Sequence, residues 1–253
     1  MSNLYNSLFE STFGEVPGMR FVDARVPSYL TGSEKHEVLC VIWSIEIRYW
    51  LKVIRYLKEA AITGDLVEFG VSTGKSLNVI CSYRDEVGLA ANVYGLDSFE
   101  GLPSPSSSDP TDRGWTKGTY RNPYGETAKL CKLDQRPYLR LLKGWFVDTI
   151  PVLAQICDSV AFARIDCDLY EPSVECLTFL QEKITNGAVI YFDDWIHDEN
   201  LGETKAFFEF AKQMKNVLEF KHYGYFGPGG AIVQVHRIGE ASPPDMMHWL
   251  SSV

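Results

Sequence analysis

From residue 43 the apolar positions Trp43, Ile47, Trp50, Ile54 and Leu57 recur at steps of four and three, which places them on one face of a helix. Glu46, Arg48, Lys52 and Arg55 fall off that stripe and read as its polar side. Ser33 is placed to cap the start of this helix, and Gly64 closes the region. Beyond it the pattern changes. Short, nearly continuous apolar runs at 64–71, 92–99, 138–146, 159–168 and 187–195 read as strands covered on both faces. Helical stretches are expected at 75–84, 147–157, 171–184 and 203–215. Two further runs, 218–226 and 231–239, flank Gly227-Pro228-Gly229-Gly230 and read as a hairpin that adds an antiparallel edge. Strands alternating with helices imply a parallel sheet with helices on both faces. The expected fold is a doubly wound, Rossmann-like α/β sheet of seven strands, the last antiparallel, with an N-terminal helical cap.

This pattern divides the chain into an arm and helical cap at 1–63, a main domain at 64–239 and a tail at 240–253. The arm, 1–33, holds Pro17, Pro27, Gly14, Gly18 and Gly32 without sustained periodicity. Between the second and third strands, 104–126 is rich in Pro, Gly and Ser yet carries Trp115, Tyr120 and Tyr124. A long loop with embedded aromatics reads as a mobile lid, with plain disorder as the alternative. Its rings are suited to stacking on an acceptor, or to anchoring the lid to the body.

Composition narrows the partners. Hydrophobic residues make up 45% of the 253, enough for a sizeable core. The net charge of -9 argues against nucleic acid or an anionic membrane as the main partner. The six cysteines are scattered without a C-x-x-C pair, so zinc-finger spacing is absent and buried thiols are expected. MSNLYNSLFE lacks the charged-then-apolar pattern of a signal peptide, and no run reaches the ~20 apolar residues of a membrane span. The expectation is a soluble, cytoplasmic protein.

Candidate chemistry begins at the first strand-to-helix turn, Val67-Glu68-Phe69-Gly70-Val71-Ser72-Thr73-Gly74-Lys75-Ser76. It ends like a phosphate loop, but Gly70 and Gly74 enclose three residues where that motif has four. The dinucleotide fingerprint also fails, because position 72 is serine and no glycine follows Gly74 by three. What remains is E-x-G-x-x-x-G at the end of a first strand, where doubly wound sheets bind ligands. The second strand ends in Asp97-Ser98, and an acidic side chain there is able to accept hydrogen bonds from ribose hydroxyls. Glu68 is suited to a cationic amino group. Together they favour a ligand with a ribose and an ammonium but no pyrophosphate, a description that S-adenosyl-L-methionine meets. Gly70, Ser72, Gly74 and Ser76 of the turn join Glu68, Asp97 and Ser98 as candidate cofactor residues.

The fourth strand ends in Ile165-Asp166-Cys167-Asp168 and the fifth in Phe192-Asp193-Asp194-Trp195. Adjacent parallel strands present these ends side by side. Asp166, Asp193 and Asp194 would repel one another unless a cation sat among them or a proton were taken up. Hard oxygen donors suit Mg²⁺ or a similar divalent ion, which lowers the pKa of a bound hydroxyl and orients it. Alternatively these aspartates cap turns. Asp166 and Asp168 also spell D-x-D, the metal and nucleotide-sugar motif of many glycosyltransferases, and that reading stays open at this point.

VEFGVSTGKS, GLDSFEGLP, GWFVDTIP, IDCDLYEP and GAVIYFDDW, in that order, resemble the macrocin/mycinamicin O-methyltransferase family over about residues 64–236. The resemblance implies a metal-dependent enzyme that uses S-adenosylmethionine to methylate a hydroxyl of a sugar or natural product, and a homo-oligomer. It would set Glu68, Gly70 and Gly74 at the methionine end of the cofactor, Asp97 and Ser98 at the ribose, and Gly144-Trp145 near adenine. Asp166, Asp193 and Asp194 would ligate Mg²⁺. The family places a catalytic histidine in its lid, whereas no histidine lies between His36 and His197 here. His197, with the neutral imidazole of a base near pH 7, and Asp166 or Asp168 beside the metal are the candidate bases.

Overall fold

The computed structural model describes residues 32–196, 198–226 and 230–251. The arm up to residue 31, the candidate base His197 and the hairpin residues 227–229 lie outside the described residues, as do the side chains of Ser33 and Trp43. In chain order the elements are α1 (Gly32–Glu59), β1 (Asp65–Phe69), α2 (Lys75–Val87), β2 (Val93–Asp97), α3 (Tyr124–Leu130), β3 (Leu139–Lys143), α4 (Phe146–Ile156), β4 (Val160–Ile165), α5 (Tyr170–Lys183), β5 (Ile184–Phe192), α6 (Gly202–Met214), β6 (Leu218–Phe226), β7 (Gly230–Arg237) and α7 (Met247–Leu250). The first helix begins at Gly32, one residue ahead of the expected cap.

One seven-stranded sheet runs in the order β3-β2-β1-β4-β5-β7-β6. All its pairings are parallel except those of β7, which is antiparallel to both β5 and β6. The antiparallel strand therefore lies inside the sheet rather than at its edge. Burial explains why. Ala231, Ile232, Val233 and Val235 of β7 are fully buried, whereas β6 exposes Glu219 and Lys221, polar residues suited to an open edge. The strand order reverses between β1 and β4, the switch point where such sheets open a crevice at their carboxyl ends.

The two faces of the sheet carry separate layers. Val67, Phe69, Ala163, Ile165, Ile190 and Phe192 pack beneath α4, α5 and α6. Leu66, Phe162, Val189 and Tyr191 meet Trp50, Val53, Ile54 and Leu57 of α1. The amphipathic stripe of α1 is thus seated on the sheet, with one correction. Glu46, expected on the polar side, is buried, because residues 46, 50, 53 and 57 share a helical face. The tail is tied to the same helix: Trp249 Nε1 donates to Glu59 Oε2 at 2.8 Å, and Lys52 Nζ to the Leu250 carbonyl at 2.7 Å. Cys81, Cys131, Cys157, Cys167 and Cys176 are free, buried thiols. Among the described residues no helix is long and apolar enough to cross a membrane.

Candidate functional site

The turn after β1 is shaped by a carboxylate from the next strand. Asp97 Oδ2 accepts the backbone N–H groups of Val71 and Ser72 at 2.9 and 2.7 Å, and its Oδ1 accepts that of Phe99 at 2.6 Å. Three of the roughly four lone-pair positions of a carboxylate are thereby used. One lone-pair position, on Oδ1, is left open. Gly70, at φ 84, lies flat against β4, where a Cβ would be driven into the Asp166 carbonyl. Gly74, at φ 83, faces away from the crevice: a Cβ there would lie 2.7 Å from Cys131 Sγ and 2.8 Å from Thr127 Cγ2.

Register explains the next layer. Glu68 pairs with Arg164 across β1 and β4, and Arg164 with Tyr191 across β4 and β5, all on the α1 face. Arg164 is buried in a strand whose six residues are all buried. It is tolerated there because its charge is matched. Nη1 donates to Glu68 Oε1 at 2.8 Å and to Asp166 Oδ2 at 2.5 Å, and Nη2 to Asp193 Oδ1 at 2.6 Å. Its guanidinium also sits 5.0 Å over the ring of Trp50. Glu68 has no exposed surface, and burial pushes its pKa up to about 7 against the pull of Arg164. Ser76, the next candidate along the turn, sets its hydroxyl against the Glu68 carboxylate. Burial and the Asp193 carboxylate push Glu46 up to about 9.

Asp166, Asp168 and Asp194 each offer an oxygen within 4.8 Å of the others. Asp193, the third residue of the expected set, turns its Oδ1 to Arg164, and Asp168 stands in the cluster instead. Burial, and then the neighbouring carboxylates, push Asp168 up to about 11 and Asp194 up to about 7, and raise Asp166 as well. Such a group lowers its energy by holding protons or a cation. Three hard oxygen donors converging on one point fit a divalent ion of the Mg²⁺ type.

The segment 104–126, expected to be a lid, is tied to the body at both ends. Asp109, buried, accepts the Tyr170 N–H at the start of α5 at 2.6 Å and the Ser106 N–H at 2.7 Å. The Gly202 N–H at the start of α6 donates to the Ser108 carbonyl at 2.8 Å. At the other end Asn122 Nδ2 donates to Ser72 Oγ, and Thr127 Oγ1 to the Ser72 carbonyl, each at 2.8 Å. Trp115 Nε1 reaches Tyr120 OH at 3.3 Å. These two aromatics hold each other, and Tyr120 also lines the crevice.

One cavity of about 530 Å³ unites these parts. Gly70, Ser72, Asp97, Ser98, Gly144 and Trp145 form one side, and Asp166, Asp168, Asp193 and Asp194 another. Glu68, Gly74 and Ser76 are not on its wall: Glu68 and Ser76 lie beneath the turn, and Gly74 carries α3. Ser72, Tyr120 and Asp168 line the cavity with φ of 47°, 65° and 62°. Left-handed non-glycine residues cost about 1–3 kcal/mol each and persist where the surroundings fix them, which is typical of ligand sites. Two residues of the site had no signal in the sequence. Arg164 reads as one charge in an apolar strand, and Glu203, on α6, as an ordinary first-turn acid.

A seven-stranded sheet in the order β3-β2-β1-β4-β5-β7-β6, with β7 alone antiparallel to its neighbours, is the Rossmann-like methyltransferase fold. The solved structure of the O-methyltransferase NovP superposes with a TM-score of 0.62 at 24% identity, over 76% of this chain and 80% of that one. The family model described as Macrocin-O-methyltransferase (TylF) matches residues 46–221, more than half of the chain, and the chain belongs to that family. Among curated proteins, the 8-demethyl-8-(2,3-dimethoxy-alpha-L-rhamnosyl)-tetracenomycin-C 4'-O-methyltransferase of Streptomyces olivaceus is 30% identical over 145 residues, 54% of this chain. The demethyldecarbamoylnovobiocin O-methyltransferase of Streptomyces niveus is 28% identical over 168 residues, 62% of this chain. The matched stretches span 55% and 63% of those relatives.

Proposed function

We propose that the protein is an S-adenosylmethionine-dependent O-methyltransferase that acts on a hydroxyl of a sugar or other natural-product acceptor with the help of a divalent cation. The observation that carries this reading is the joining, in one cavity, of the Gly70–Ser72 turn with the carboxylates at the ends of β4 and β5. Membership of the family and the printed activities of its relatives support the same chemistry.

Bound S-adenosylmethionine supplies the methyl group. Gly70 and Ser72 would leave room for it to lie against the backbone, Asp97 would hold a ribose hydroxyl, and Ser98, Gly144 and Trp145 would close the adenosine side. Asp166, Asp168 and Asp194, with Asp193 beside them, would hold the cation, and a cation there would lower the pKa of an acceptor hydroxyl. Asp166 Oδ2 is taken by Arg164, so Oδ1 is the oxygen it would offer the cation. The acceptor's proton would pass to a base outside the three ligands, for which His197, three residues past Asp194, is the sequence candidate. The D-x-D pair thus has a place without a nucleotide sugar.

Calorimetric titration with S-adenosylhomocysteine, with and without Mg²⁺, is the direct test. Saturable binding, followed by methylation of glycoside hydroxyls that EDTA abolishes, is expected. Absence of heat and of any thermal shift would overturn the cofactor assignment. Turnover unaffected by EDTA would remove the cation alone.

A further inference from the structure

The carboxylates proposed to hold the cation sit on two separate loops, and one side chain ties both together. Glu203, with no exposed surface, lies in the first turn of α6 directly behind them. Its Oε1 accepts the backbone N–H groups of Cys167 and Asp168 at 2.9 and 3.2 Å, and its Oε2 accepts that of Asp194 at 3.2 Å. All three partners are donors, which only an acceptor with two oxygens satisfies at once. Asp168, meanwhile, is held at φ 62, a conformation that needs such support. The neighbouring Gly202 carries the lid through Ser108, so this turn of α6 stands between the lid and the carboxylates.

We propose that Glu203 is a positioning residue: through three main-chain hydrogen bonds it sets the loops of Asp166–Asp168 and Asp193–Asp194 at the separation that a divalent cation requires. The proposal rests on the cation reading above. Glu203 does not itself line the cavity and makes no contact with cofactor or acceptor. Removing it moves the ligand-bearing loops apart while the turn after β1, which shapes the cofactor side, keeps its own bonds to Asp97.

Glu203→Gln tests this with little change of volume, since the amide nitrogen of glutamine cannot accept an N–H. Mn²⁺ binding is followed by the electron paramagnetic resonance of the free ion, and S-adenosylhomocysteine binding by calorimetry in EDTA. Support for an outer-shell partner predicts Mn²⁺ affinity lower by about 10–100-fold, with S-adenosylhomocysteine affinity within about threefold in the same folded protein. Glu203→Asp, which keeps the charge but shortens the reach, is measured the same way and serves alone if the glutamine variant does not fold. It is expected to lose Mn²⁺ affinity too. Mn²⁺ affinity unchanged in the variants, or Mn²⁺ and S-adenosylhomocysteine affinities falling together, overturns the positioning role. A wild-type protein that binds no Mn²⁺ overturns the cation reading itself and the proposal with it.

Discussion

Arg164 Nη2 donates to Asp193 Oδ1 at 2.6 Å, which joins the ends of β4 and β5 through a guanidinium otherwise enclosed by the sheet and Trp50. The same group neutralises Glu68, a carboxylate with no exposed surface. Arg164→Met should therefore strand Glu68 as an unpaired buried acid. Breaking one partner of a buried pair costs about 3–5 kcal/mol. Urea unfolding should show that loss, and adding Glu68→Gln to the same protein should recover part of it. A strictly additive double variant would mean that the two side chains do not depend on each other.

The titration of this region gives a pH dependence of definite sign. Folding raises Glu68 from 4.5 to about 7 and Asp194 from 3.8 to about 7. Between about pH 4 and 7 the folded chain keeps protons that the unfolded chain has released. The stability contributed by these groups is thus complete below that window and lost as pH rises through about 7. In EDTA the melting temperature should fall from about pH 5 to pH 8, and Glu68→Gln should flatten the slope. A melting temperature that rises over this range would contradict the assignment.

The two glycines of the turn should behave differently. At Gly70 a Cβ collides with the Asp166 main chain just past β4, so Gly70→Ala should destabilise by about 1–3 kcal/mol or more and abolish S-adenosylhomocysteine binding. At Gly74 the obstacles are the Cys131 and Thr127 side chains under α3, remote from the cavity wall. Gly74→Ala should lower the melting temperature while the folded fraction still binds S-adenosylhomocysteine. Thermal melts with parallel calorimetry separate the two.

Asp97→Asn keeps the shape of the side chain but replaces one accepting oxygen with a donor. At least one of the Val71, Ser72 and Phe99 N–H groups then faces an N–H group. Loss of a charge-assisted pair of this kind is worth about 1.5–3 kcal/mol of stability. With the turn disturbed and the open Oδ1 position altered, the affinity for S-adenosylhomocysteine should fall by about tenfold, the equivalent of about 1.4 kcal/mol. Unchanged affinity would reduce Asp97 to a bystander of the turn.

Much of this architecture is readable along the chain. The change from helical to strand periodicity at Gly64, and the regular alternation after it, determine a parallel sheet with helices on both faces, because strands covered on both sides must be apolar throughout. The acids at the strand ends and the short glycine turn determine where a ligand goes, since carboxyl ends and tight turns are local features. The position of β7 inside the sheet was not legible, because hairpin residues alone do not say which arm faces a neighbour. The fate of each carboxylate was not legible either. Register between β1, β4 and β5 brought Arg164 against Glu68, Asp166 and Asp193, the first turn of α6 brought Glu203 behind Asp168 and Asp194, and α1 brought Glu46 into the interior. A charge is paired, buried or left for a ligand according to neighbours far away in sequence, and only the tertiary structure decided which.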